Sequence, residues 1–355
     1  MTTVHVVVPN GIDDPARPSG GNVYDRQVCR GLISIGWTVH EHEVPGDWPV
    51  PDASALAALS GVLERIPNDA VVLLDGLVAS TAPAVLVPVV DRLRLVVLVH
   101  MPLGHRPAPG AAAETRTRER TVLSVAAAVV TTSWWSRRRL LELYSLPAGR
   151  VHVAPPGVEA AELATGTLTG ETLLCVAAVT FDKGHDLLLD ALTAIADLSW
   201  RCVCVGNLDR DPAFAERVRR RALEDGLGDR LNFPGPRTGA DLGRSYATAD
   251  LVVLASRAET YGMVIIEALA RGLPVIATEV GGVPEALGHG ANGVRPGRLV
   301  PQEDPAALAA ALQAWLGDAE LRARWRGAAR ERRERLPDWS ATTSVLARVL
   351  SGASR

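Results

Sequence analysis

An α/β fold of two domains, each with a parallel sheet, is what this sequence predicts, and three observations carry it. The chain has 355 residues, long for one compact core and suited to two. Short apolar runs such as VHVVVP (Val4 to Pro9), LRLVVLV (Leu93 to Val99) and LVVLA (Leu251 to Ala255) recur along it. Runs of this length and branching read as strands buried on both faces, as parallel strands are. Loops and segments of helical spacing separate them, the βαβ rhythm that imposes parallel pairing.

Composition narrows the function classes. A formal net charge of -3 gives no reason to expect a nucleic-acid partner. No run of about eighteen apolar residues suggests a membrane span. The start, MTTVHVVVPNG, enters a strand without the basic, apolar and small-residue regions of a secretory signal, which predicts a cytoplasmic protein. Cys29, Cys175, Cys202 and Cys204 lack zinc-ligand spacing and the density of a disulfide scaffold, so they are expected as small buried hydrophobes. Among 37 basic residues Lys183 is the only lysine, which draws attention to its position.

The most informative stretch is Ser256 to Leu287, SRAETYGMVIIEALARGLPVIATEVGGVPEAL. It follows the strand LVVLA and contains a helix opening near Gly262, a second strand, PVIAT, and a glycine turn, GGVPE. Glu259 stands in the loop beyond the strand's carboxyl end, where open α/β sheets bind ligands. Beside it, the amides of Thr260, Tyr261, Gly262 and Met263 are expected to open the helix, a setting suited to phosphate or to polar groups of a sugar. Glu267 lies among Val264, Ile265, Ile266, Ala268 and Leu269. A carboxylate there is costly to bury unless donors satisfy it, and the vicinal diol of a ribose supplies two. The bland alternative, two surface glutamates, leaves the ordered strand, helix, strand and turn without explanation.

This pattern resembles the retaining glycosyltransferases of family 4, in an actinobacterial-like form. Their hallmark is a pair of glutamates separated by seven residues, followed by a PVIAT-like strand and a GG-x-PE turn. The resemblance implies the GT-B fold: two Rossmann-like domains facing a cleft, with a last helix crossing back to the first. RVHVAPPGVE resembles the end of the family's first domain, although Pro156 replaces its usual asparagine. The domains are accordingly expected at 1–158 for the acceptor side and 159–335 for the donor, with 336–355 as the returning helix.

Residue by residue, the resemblance implies that Glu267 holds the ribose, and that Glu259 and the following amides hold the sugar. TLLCVAAVTFDKGHD resembles the family's phosphate-binding G-R-L-x-x-x-K-G element; Lys183 is retained, whereas Ala178 stands at the arginine's place. Arg210, Arg237 or Arg257 is then needed as a substitute cation. Arg237 also follows an F-x-G turn placed near the nucleobase in the family. In the first domain, Gly20 and Gly21, just before a helix expected from about Asn22 to Ile35, match the glycine pair that approaches the diphosphate. His100, after the strand LRLVVLV, matches a histidine near the donor sugar and diphosphate; a hydrogen-bonded structural histidine is the alternative.

The implied reaction is transfer of a sugar from a nucleotide diphosphate sugar to an acceptor, with retention at the anomeric carbon. A UDP-sugar is favoured and a GDP-sugar comes next; the acceptor is a small molecule, glycan or lipid. A nucleotide-sugar 2-epimerase of the same architecture and a noncatalytic nucleotide-sugar binding protein remain as alternatives. No metal is expected, and no cofactor beyond the cosubstrate, so Asp209 and Asp211 are read as ordinary loop acids rather than a metal-binding D-x-D. Trp134 and Trp135 beside Arg137, Arg138 and Arg139 leave a weak peripheral membrane contact open. The competing reading is a packed aromatic helix start with a solvated basic face. The patch Arg106 to Gly110 is read as a loop on the acceptor side.

Overall fold

The computed structural model describes residues 2–16, 18–107 and 110–354. The chain divides into two compact units, one of residues 1–13, 19–157 and 337–355 and one of 14–18 and 158–336. Ala108 and Pro109, in the proline-rich patch, lie outside the described residues.

The first unit is a six-stranded parallel sheet of β1 (Thr3–Pro9), β2 (Thr38–Val44), β3 (Val71–Asp75), β4 (Arg94–Val99), β5 (Ala128–Thr131) and β6 (Val151–Val153). Their order is β2-β1-β3-β4-β5-β6. β3 is buried at every residue and β4 at all but its first, which is why both read as unbroken apolar runs. The sheet grows from β1 to β2 and then continues on the other side of β1 with β3. Ligands of open α/β sheets bind beyond the carboxyl ends of the strands at such a reversal.

The second unit has β7 (Thr172–Val176), β8 (Arg201–Val205), β9 (Leu231–Gly235), β10 (Leu251–Leu254), β11 (Val275–Thr278) and β12 (Gly297–Val300), ordered β12-β11-β10-β7-β8-β9. All pairs are parallel. Here the reversal falls between β7 and β10, so the loops after these two strands are neighbours. Those loops carry Lys183 and Glu259. The edge strand β12 is not signalled by the sequence, because four residues behind Pro296 are too few to show a period.

The last helix, Trp339–Ala353, belongs to the first unit. It packs on helix Gly20–Ser34, where any side chain at Gly31 would collide with Thr343. Thr342 Oγ1 donates to the carbonyl of Pro155 at 2.7 Å, and Trp339 meets Tyr24 edge to face. No helix among the described residues is long and apolar enough to cross a membrane.

Candidate functional site

Lys183 closes a short 3-10 turn after β7, and Gly184 follows in the left-handed region at φ 66°. A side chain at Gly184 would collide with the carbonyl of Ala255 at the end of β10. Glycine therefore lets the β7 loop close onto the β10 loop, and the amide of Arg257 donates to the carbonyl of Asp182 at 2.8 Å. The result is a direct ion pair, with Lys183 Nζ 2.5 Å from Glu259 Oε1. Ser256 Oγ donates to the same oxygen at 3.1 Å. The Glu259 side chain is only 14% exposed and that of Lys183 30%. Expected as holders of different donor groups, the two form one electrostatic unit.

The helix after Glu259 runs from Met263 to Ala270, one residue later than its expected opening. Gly262 is its N-cap at φ 91°, so the free helical amides begin at Met263, and Thr260 and Tyr261 belong to the loop. The ring of Tyr261 is buried in the core, which leaves its backbone as the part available to a ligand. GGVPE serves this loop as a buttress. Side chains at Gly281 and Gly282 would collide with the carbonyls of Glu259 and Thr260, and the amide of Gly282 donates to Glu259 O at 3.2 Å. The turn thus fixes the backbone that presents Glu259.

Glu267 lies one turn into that helix and is partly buried. Its Oε2 accepts from the hydroxyl of Tyr246 at 2.7 Å, and burial raises its pKa against the opposing pull of Tyr246 and Arg271. Tyr246 is fully buried on helix Gly239–Ala247, and burial together with Glu267 holds its phenol well above the usual range. Arg237, just before that helix, donates to Ser245 Oγ at 2.9 Å. One helix therefore links Arg237 to the partner of Glu267.

The arginines that could replace the one missing at Ala178 differ in their commitments. Arg257 is only 7% exposed and is committed internally. Its guanidinium grips Asp186 through two bonds of 2.7 and 2.9 Å, donates to Glu303 at 2.6 Å and stacks over Phe181. A buried fork satisfied in this way is a structural tie between loops and cannot also serve a ligand. Arg210 is exposed, on a loop whose amides at Asp209 and Arg210 are held by Asn207 Oδ1. The neighbouring acids separate too: Asp211 caps helix Pro212–Glu224 by accepting from Phe214 N at 3.2 Å, whereas Asp209 is exposed.

In the first unit, Gly20 and Gly21 form the opening turn of helix Gly20–Ser34, two residues ahead of its expected start. Ser19 is extended and makes no side-chain cap, so the first amides are not satisfied by it. His100 stands against this turn, and a Cβ on Gly21 would lie 3.4 Å from its ring. Two buried acids flank the histidine: Asp75, the polar residue that ends the apolar strand β3, and Asp25, which the sequence does not single out. A third, Glu119, is fully buried and accepts from the amides of Leu103 and Gly104, at 3.0 and 2.8 Å, and from Ser80 and Tyr144. It anchors the loop that follows His100. Glu119 sits in the charged run AETRTRERTVLSV, where nothing in the sequence separates it from a solvated face.

The tryptophan and arginine cluster is largely tied inward. Ser133 caps helix Trp134–Tyr144, Arg137 donates to the carbonyls of Val151 and Ala148, and Arg139 donates to His105, which meets Trp135 edge to face. Trp134 stays 55% exposed. Although sequence spacing argues against a ligand set, pairing of β7 with β8 puts Cys175 beside Cys204, and helix His185–Thr193 brings His185 to them in the core. Among the described residues Nδ1 of His185 has no hydrogen-bond partner, whereas a metal-bound imidazole is oriented through its second nitrogen.

Comparison with known proteins places this geometry. Residues 166–332, nearly all of the second unit, match the family described as glycosyl transferases group 1. A D-inositol 3-phosphate glycosyltransferase of Jonesia denitrificans is 32% identical over 263 residues, 68% of this chain and 61% of that protein. The matches span about half to three fifths of the length of the curated relatives. Among solved structures, a sucrose-phosphate synthase of Thermosynechococcus elongatus superposes with a TM-score of 0.79 at 22% identity, over 99% of each chain. The Anabaena protein HepE, solved with UDP and glucose, gives 0.79 at 17% identity over 99% of this chain and 100% of its own. At such identities these two show a shared fold. The matched domain coincides with the unit that couples Lys183 to Glu259 and seats Glu267 behind them, and the chain belongs to the glycosyl transferases group 1.

Proposed function

We propose that this protein transfers a sugar from a nucleotide diphosphate sugar, a UDP-sugar first and a GDP-sugar next, to an acceptor with retention of anomeric configuration. The observation that carries the reading is the Lys183–Glu259 pair at the reversal of the second sheet. An ammonium there meets the charge that grows on a leaving diphosphate, and a carboxylate beside it accepts from sugar hydroxyls. Glu267, held by Tyr246, is one helical turn behind and suits the ribose diol. In the first unit, His100 and the opening amides of helix Gly20–Ser34 offer donors to phosphate or sugar oxygens.

Thermal shift against UDP, GDP and ADP, followed by a donor panel scored for slow hydrolysis, tests this. A raised Tm with one diphosphate and release of free sugar from the matching donor is the expected result. D-inositol 3-phosphate belongs in the acceptor panel because relatives are named for it. Inert donors would sink catalysis, and a donor converted to its 2-epimer would reassign the reaction.

Neutralisation by Lys183 and helix amides leaves no step that needs a divalent ion. Activity should therefore be unchanged by EDTA. Loss restored by Mg²⁺ or Mn²⁺ would overturn this. Asp211→Ala, which removes a helix cap, should cost about 1 kcal/mol of stability with donor affinity unaltered. Urea unfolding and donor titration of the same variant separate a cap from a metal ligand.

A further inference from the structure

His100 has an unusual setting for a residue expected to touch a donor. Its Nε2 is 2.8 Å from Asp25 Oδ1, on helix Gly20–Ser34, and 3.6 Å from Asp75 Oδ2, at the end of β3. Both carboxyl groups are about 4% exposed, and the histidine side chain 16%. The arrangement follows from the strand order. β1 and β4 both flank β3, so the helix after β1, the end of β3 and the loop after β4 converge at one edge.

Other contacts fix the ring. Asp75 spends its second oxygen on the amide of Leu77 at 2.6 Å, Tyr24 packs edge-on at 5.2 Å, and Gly21 lies against a third side. Among the described residues no hydrogen bond reaches Nδ1. Two buried carboxyl groups therefore converge on one face of an imidazole whose other nitrogen is uncommitted.

Such a cluster is costly in most charge states. Two carboxylates around a neutral ring would bury two like charges with no counter-charge. An imidazolium supplies the counter-charge for one of them and gives Asp25 a charged donor. We propose that Asp25 and Asp75 are positioning residues that hold His100 as an imidazolium, with Nε2–H tied to Asp25 and Nδ1–H left as a charged donor. Resting on the proposed sugar transfer, that donor serves a phosphoryl or sugar oxygen of the nucleotide sugar.

The titration of the cluster agrees in direction. The two aspartates outweigh burial and raise His100 to about 9, while burial and Asp25 raise Asp75 to about 7. The other titratable group facing the ring, Tyr24, is held well above 10 by burial and by Asp25, and stays neutral. Both shifts are upward, so the folded state binds more protons than the unfolded one between the two sets of values. Stability from His100 is fully present below about pH 6.5 and is lost as pH rises through about 9. For Asp75 the loss begins above about 3.8 and ends near 7.

The test is ¹⁵N-histidine NMR on the full chain, with the His100 signal assigned from His100→Gln, and donor hydrolysis measured from pH 6 to 9. In the unsubstituted protein His100 should remain doubly protonated at pH 7.5. In Asp25→Asn it should be neutral there, and kcat should fall about tenfold at pH 8.5 with a much smaller loss at pH 6, where the ring still takes a proton. Asp75→Asn, which keeps Asp25 in contact, should shift the titration less and covers the case in which Asp25→Asn does not fold. A His100 that titrates near 6.5 in the unsubstituted protein, or a loss of kcat equal at every pH, would overturn the proposal. Because the NMR titration needs no donor, a ring that behaves as expected in a protein that turns over no nucleotide sugar would count against the proposed function and leave the positioning role standing.

Discussion

Lys183→Ala should lower kcat by about a hundredfold or more, the order seen on removing one preorganised electrostatic group. Charge on the leaving diphosphate grows as the glycosidic bond breaks, so an ammonium beside it stabilises the transition state more than the bound donor. With Ala178 at the usual arginine position and Arg257 enclosed by Asp186, Glu303 and Phe181, the lysine has little help from its own unit. The 2.5 Å contact with Glu259 adds a second consequence. Alanine at 183 also leaves without its counter-charge a carboxylate that is only 14% exposed, and that side chain will reorient toward water.

The effects of Lys183→Ala and Glu259→Gln should therefore be strongly non-additive, the double variant being hardly worse than the poorer single one. Lys183→Arg should recover only part of the rate, because a planar fork cannot occupy an ammonium's place between Glu259 and a phosphate. Steady-state kinetics on the four variants decides. A raised KM with kcat intact would mean that the lysine provides uniform binding and no transition-state stabilisation.

What could be read in advance, and what could not, follows a physical line. Lys183 and Glu259 were legible because each lies in a loop after an apolar strand, and a doubly wound sheet brings two such loops together at its reversal. The strands β3, β4, β7 and β10 announced themselves by burial on both faces. Asp25 and Glu119 were not legible, since each is made buried by partners distant in the chain: His100 for the first, and Leu103, Gly104 and Tyr144 for the second. In a sequence they look like any surface acid.

Arg257 illustrates the opposite error. Its place beside Glu259 suggests a phosphate cation, and only the bidentate grip of Asp186 removes it from that role. The glycines of GGVPE were recognisable as a motif, yet their work is steric. They let the backbone of Glu259 and Thr260 approach more closely than any side chain would permit. Spacing identifies a loop, and tertiary contact decides whether it binds or supports.

Glu267→Ala should weaken donor binding by roughly 2 to 4 kcal/mol, the scale for removing a charged acceptor from hydroxyls that leave water to meet it. The partner arrangement sharpens the experiment. Tyr246 is fully buried and donates its hydroxyl to Glu267 Oε2, so alanine strands a buried donor as well as deleting a ligand contact. Part of any loss could then reflect a shifted helix Gly239–Ala247. Tyr246→Phe removes the same bond and keeps the carboxylate; it should cost little affinity if the glutamate acts on the ribose directly. Glu267→Gln keeps an acceptor for Tyr246 and loses the charge, and it should fall between alanine and the unsubstituted protein. A donor whose ribose lacks its vicinal hydroxyls supplies the decisive arm. It should bind the unsubstituted protein weakly and Glu267→Ala no more weakly, because the interaction deleted from the protein is already absent from the ligand. Calorimetric titration of both donors against all four proteins measures this coupling, and an equal loss with both donors would place Glu267 away from the ribose.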